Sequence, residues 1–136
     1  MNRRRLFLAL AVTGVLLVPI PRLRCPDWDV WVVDDDGNAI EGMNVHLDYQ
    51  DYWIESSSHE KAQITDASGH VRFSAVRTPS SAAAYIFGTV RSFGETGVHA
   101  SFGRHAFLVA FRMGRRGYSG DWTGSPSTVR SRIIAR

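Results

Sequence analysis

The chain has 136 residues, 44% of them hydrophobic, with a single cysteine and a formal net charge of +3. That length suits one domain with its own core, not two, and the apolar content excludes a disordered tail. A lone cysteine excludes an intramolecular disulfide, and arginines gathered around no reading motif exclude nucleic acid as a partner.

The charge is unevenly spread. Five arginines (Arg3, Arg4, Arg5, Arg22, Arg24) precede Cys25, residues 25–103 hold 4 basic and 12 acidic side chains, and residues 104–136 hold 7 arginines and one aspartate. Such an asymmetry either steers an anionic partner to the C-terminal part or neutralises the acidic middle within one fold. Neutralisation is the expectation.

After Arg3–Arg5 comes an apolar run from Leu6 to Val18, broken only by Thr13 and Gly14, and then Pro19 and Pro21. A basic start before an apolar stretch of this length is the layout of a secretory signal. It falls short of the about 20 apolar residues that span a bilayer. Residues 1–25 are therefore expected to be a signal peptide or signal-anchor, and residues 26–136 one exported domain, periplasmic, extracellular or membrane-anchored. No clean small-x-small cleavage site precedes residue 26, so removal and retention both stay open. Arg4-Arg5-Leu6-Phe7-Leu8 matches a twin-arginine signal only in part. Arg22-Leu23-Arg24 before Cys25 is unlike a lipobox, which argues against lipidation.

Two stretches share one grammar: Val33-Asp34-Asp35-Asp36-Gly37-Asn38 leading to Met43–Leu47, and Thr65-Asp66-Ala67-Ser68-Gly69-His70 leading to Val71–Phe73. In each an apolar run ends, Asp and Gly reverse the chain, and an alternating run returns. Asp accepts from nearby backbone N–H groups and Gly supplies positive φ, so two hairpin-like units are expected. Trp28–Val33 reads as a strand. Met43, Val45, Leu47 and Tyr49 alternate with polar residues as in a half-buried strand. Residues 50–60 read as a loop holding a short strand, and Lys61–Thr65 with Val71–Val76 as the second hairpin. Ala82–Ser92 is torn between helix (Ala82-Ala83-Ala84) and strand (Tyr85, Ile86, Phe87, Thr89, Val90), and strand is the expectation. His105–Met113 should be a central strand buried on both faces, Gly114–Pro126 an irregular connection, and Thr128–Ala135 an edge strand.

The Asp-x-x-Gly-x-x-Ile-x-Gly-x-x-Val-x-Leu spacing from Asp34, with Thr65-Asp66-x-x-Gly69-x-Val71-x-Phe73, resembles carboxypeptidase regulatory-like domains and their transthyretin-like and Cna-B-type relatives. The likeness covers residues 30 to about 79; Ala39 and Met43 stand where the family has Pro and Ala. It implies an all-β, antiparallel, seven-stranded prealbumin-like (Ig-like) β-sandwich, non-catalytic, in which Asp and Gly only form turns. No active site comes with it.

In Asp34-Asp35-Asp36-Gly37 a calcium loop fails in register, since position 1 would be Val32. His46, His59, His70, His99 and His105 show no ligand spacing, so no metal and no cofactor are expected; a His-based metalloenzyme on His99 and His105 is the remotest alternative. The intradiol dioxygenases' His-x-His and the transthyretin-like hydrolases' terminal Tyr-Arg-Gly-Ser are both missing. The favoured binding residues are aromatic: Tyr49, Tyr52, Trp53 and Trp122, whose flat faces would stack on a sugar or anchor a protein. The reading is a non-catalytic exported domain with a structural or binding role in the cell envelope. Its partner would be a protein or polysaccharide there, and the alternative is a carbohydrate- or peptide-binding module using those aromatics.

Overall fold

A computed structural model describes residues 2–97 and 102–136. Along them run α1 (Arg3–Leu17), β1 (Ile20–Cys25), β2 (Asp27–Val33), β3 (Asn44–Asp51), β4 (His59–Ile64) and β5 (His70–Phe73). Then follow β6 (Val76–Ser80), α2 (Ala82–Thr96), β7 (Arg104–Arg112), β8 (Arg115–Trp122) and β9 (Thr128–Ile134). The chain is mostly β. Its described residues hold nine strands and two helices, where seven strands and no helix inside the domain were expected.

The strands form a four-stranded sheet β4-β3-β7-β8, a three-stranded sheet β5-β2-β9 and a two-stranded ribbon β1-β6. Pairing is antiparallel except between β2 and β9, which run parallel from Asp27↔Thr128 to Val33↔Ile134, a departure from the purely antiparallel expectation. The two larger sheets bury one face each in a common core. Trp28, Val30 and Val32 come from one; Val45, Leu47, Leu108 and Ala110 come from the other. Full burial of each larger side chain contributes about 1.5–3 kcal/mol.

Both Asp-Gly turns form, with one hydrogen-bond pattern. Asp34 Oδ1 accepts from the N–H groups of Asp36 (3.0 Å) and Asn38 (2.8 Å), and Asp66 Oδ1 accepts from those of Ser68 (2.8 Å) and His70 (3.0 Å). Gly37 and Gly69 close the turns at φ +86° and +70°. Neither turn joins two strands of one sheet, however, although the first closes a single antiparallel bridge, Val33↔Ala39. The first carries the chain from β2 to β3 and the second from β4 to β5, each time from one sheet to the other. Both are arches over the core, and they lock together. Val32 N–H donates to Gly69 O (2.8 Å), and a Cβ added at Gly69 would lie 2.5 Å from Val32 O. Thr65 completes the clasp: its buried hydroxyl donates to Ile40 O (2.7 Å) and accepts from Met43 N–H (2.9 Å).

Three further expectations are corrected. Ala82–Ser92 is helix, not strand: Ser81 caps it by accepting from Ala84 N–H (3.3 Å), and the alanines then carry it through the β-branched residues. Residues 115–122 form β8 and are no irregular connection; Gly117 faces Ile133, whose Cγ2 would lie 2.3 Å from an added Cβ, so glycine there serves close packing. β7 is central but buries only Ala106, Leu108 and Ala110, while Phe107 and Val109 are half-buried and Phe111 is exposed on the other face.

Thr65→Val should cost about 1–3 kcal/mol in urea denaturation, because a buried donor and acceptor lose their partner. Thr65→Ser keeps the hydroxyl and should restore most of that loss. The Asp34 and Asp66 carboxyls are held below the ordinary 3.8 by the hydrogen bonds of their own turns. Their stabilising contribution is therefore present above the unfolded value and disappears as pH falls through the folded one. Between pH 7 and about 2.5, the urea midpoint of the natural chain should fall further than that of an Asp34→Asn/Asp66→Asn double variant, which has no such groups to titrate.

Candidate functional site

At the far end of β3 from the arches, the ribbon β1-β6, the 52–57 loop and α2 meet around one buried carboxylate. The alternation that buries Met43, Val45, Leu47 and Tyr49 continues for one more step and buries Asp51 completely. Asp51 Oδ1 accepts from Trp53 N–H (3.1 Å) and Oδ2 from the Tyr85 hydroxyl (2.9 Å). Arg24, itself buried, stands 3.7 Å from Asp51 Oδ2 and 2.8 Å from Glu55 Oε1, and it donates to Ser80 Oγ (2.9 Å). Glu55 Oε2 accepts in turn from Asp51 N–H (2.7 Å). Burial, with the hydrogen bond to Asp51 adding to it, pushes the Tyr85 phenol above its ordinary 10. Both Asp51 oxygens are taken up inside the chain, so the cluster joins β1, β3, β6 and α2 rather than offering an acid or base to a substrate. The extended alternation was the sequence signal for Asp51. Arg24 and Tyr85 had none, because their partners lie 27 or more residues away.

The four favoured aromatics part company. Tyr49 and Trp122 are core residues: Tyr49 stacks on His59 at 5.3 Å, and Trp122 Nε1 donates to Pro126 O (2.7 Å). Neither presents an open ring face. Tyr52 and Trp53 are half-buried on the loop, Tyr52 edge-on to His105 (5.2 Å) and Trp53 beside Phe102 (5.0 Å) and Tyr85 (6.3 Å). Helix α2 lies over this loop at Gly88, where an added Cβ would come within 1.7 Å of Trp53 O. The loop aromatics thus form a seat for the helix.

The remaining sequence candidates are also placed. Asp34 spends Oδ1 on its turn and accepts from Asn38 Nδ2 with Oδ2 (3.2 Å), and Asp35 pairs with Arg136 (2.6 Å). The acidic run is a turn and an ion pair. His99 lies outside the described residues. Among those described, no three His, Cys, Asp or Glu side chains converge as metal ligands would. Cys25 is buried in the core, and burial raises its thiol to about 11, which keeps it in the unreactive thiol form.

Comparison with known proteins adds little to this geometry. No family model and no curated protein matches the sequence. Among solved structures the chain is similar to chlorocatechol 1,2-dioxygenase from Pseudomonas putida, at 12% identity and a TM-score of 0.48. The likeness covers 82% of this chain and 60% of that enzyme's.

Gly88 and Gly94 sit on one helix in opposite surroundings, since an added Cβ at Gly94 would meet nothing within 4 Å. Gly94→Ala should therefore raise stability by about 0.5–1 kcal/mol through backbone propensity. Gly88→Ala should lower it by about 1–3 kcal/mol by overpacking and red-shift the tryptophan emission as α2 lifts from Trp53. Equal gains from both would contradict the seat described here.

Proposed function

We propose that this chain is a non-catalytic, exported β-sandwich domain of the carboxypeptidase regulatory-like and transthyretin-like kind, serving in structure or binding in the cell envelope. The observation that carries the reading is helix α1. None of its residues is buried, its apolar side chains point in every direction, and it begins with three arginines. A helix apolar all round finds no reason for that surface in water, whereas lipid or an export channel supplies one. No helix among the described residues is long and apolar enough to cross a membrane, so α1 suits a signal segment or a shallow anchor better than a full span.

Helix α2, which touches α1, supports the same reading. Ile86, Val90 and Phe93 line one side of it, with Phe87 beside them, and each is more than half exposed. An apolar stripe of this kind on a helix lying beside a lipid-suited helix fits a seat at the membrane surface. The partner would be an envelope protein or polysaccharide.

Burial supports an earlier start for the domain than composition alone suggests. Ribbon strand β1 pairs with β6 and brings Arg24 and Cys25 into the interior. Whatever becomes of α1, this burial supports a folded unit that starts near Ile20, ahead of residue 26. In a bacterial host, cell fractionation should recover the C-terminally tagged chain outside the cytoplasm. N-terminal sequencing of that material should begin at Met1 or Asn2, or at a cut before Ile20. Chains begun at residue 19 and at residue 26 should differ in stability by at least about 3 kcal/mol, since the shorter one leaves Asp51 buried without its arginine. Cytoplasmic recovery would end the export reading; equal stability of the two would end the boundary.

A further inference from the structure

Among the described residues, the basic C-terminal part pairs directly with the acidic middle at one point. Arg136 meets Asp35, while Arg104 and Arg112 donate to the carbonyls of Leu23 and Glu41. Arg130 and Arg132, and Arg72 from β5, are exposed and pair with no carboxylate among the described residues. The sheet brings these three together. Its register sets Arg72 and Arg130 on either side of Asp29, and His70 and Arg132 on either side of Trp31. Cross-strand partners share a face, and Trp28, Val30 and Val32 hold the inner one. The outer face is therefore a flat grid of two rows, Arg72-Asp29-Arg130 and His70-Trp31-Arg132.

Trp31 is 36% exposed there, an unusual place for a tryptophan with a core available. His70 lies against its ring (4.9 Å) and is held by Asp29, 2.6 Å from Nε2 to Oδ1. A shallow hollow of about 360 Å³ opens against Trp31, Arg130 and Arg132. Strand spacing of about 4.8 Å puts Arg72 and Arg130 roughly 10 Å apart across the sheet.

We propose that this face binds an acidic glycan chain, one sugar ring stacked on Trp31 and its carboxylate or sulfate groups held by Arg72, Arg130 and Arg132. Guanidinium forks match such planar or tetrahedral anions, and a tryptophan face suits the C–H side of a pyranose. Asp29 separates a glycan from other polyanions. A carboxylate in the middle of the grid accepts from sugar hydroxyls, which an acidic peptide and an oligothymidylate lack along their length. The choice of an envelope-type ligand rests on the export reading; the grid itself does not.

Isothermal titration of the full chain in non-ionic detergent tests this with a galacturonate octamer, a sulfated octasaccharide, a neutral glucan octamer, a polyglutamate peptide and oligothymidylate of matched charge. At least one acidic glycan should bind, the glucan should not, and the two other polyanions should bind at least tenfold more weakly. Arg130→Gln/Arg132→Gln should weaken acidic-glycan binding tenfold or more, and Trp31→Ala should do the same with the melting temperature little changed. No acidic-glycan binding, equal binding of all polyanions, or binding indifferent to Trp31 would overturn the proposal. Localisation decides the export reading and titration decides this one, so either can fail alone.

Discussion

Two arches cross the same end of the core, and what keeps them in step is one hydroxyl. Thr65 belongs to the second arch, yet both its hydrogen-bond partners, Ile40 and Met43, belong to the first. The backbone repeats the link, since Thr65 N–H donates to Met43 O and Gly42 N–H to Thr65 O. Because each arch joins the two sheets, their relative position fixes how the sheets face one another. The depth at which Trp28, Val30 and Val32 meet Val45 and Leu47 follows from it. Thr65 is buried, so water cannot substitute for either partner, and a hydrogen bond at such a place is worth more than its net average.

The sequence told the turns apart from everything else, but it did not tell an arch from a hairpin. Asp34 and Asp66 organise their turns through bonds made within five residues, so the pattern was visible locally. Where the next strand goes depends on which sheet has room for it, and that is settled by pairings such as Asn44↔Phe111 and Trp28↔Val129, far apart in the chain. The same division explains the helix. Ala82–Ala84 and the Ser81 cap favour it locally against Tyr85–Val90, and in the fold its Gly88 packs on the Trp53 backbone, a contact no local pattern announces. For the aromatics, residue type was legible and burial was not. Trp122 and Tyr49 entered the core, while Trp31, which reads as one more strand residue, stayed out.

The molecule divides its charge by kind of neighbour. At the ribbon end, Arg24 is enclosed with Asp51 and Glu55, and removing one partner would strand the others without water. On the outer face of β5-β2-β9, arginines stand in solvent with no such obligation and cost the fold little if replaced. The first arrangement specifies structure, and the second is free to serve contact with something else.

The parallel pairing of β2 with β9 has a consequence for how the chain acquires its shape. Asp27 and Thr128 are neighbours across roughly a hundred intervening residues. During synthesis, the edge of β2 that faces β9 stays open until β9 has been made. Closing so long a loop is slow relative to local structure. The β5-β2-β9 sheet is thus completed only when most of the chain is already made, which gives a holding chaperone time to act.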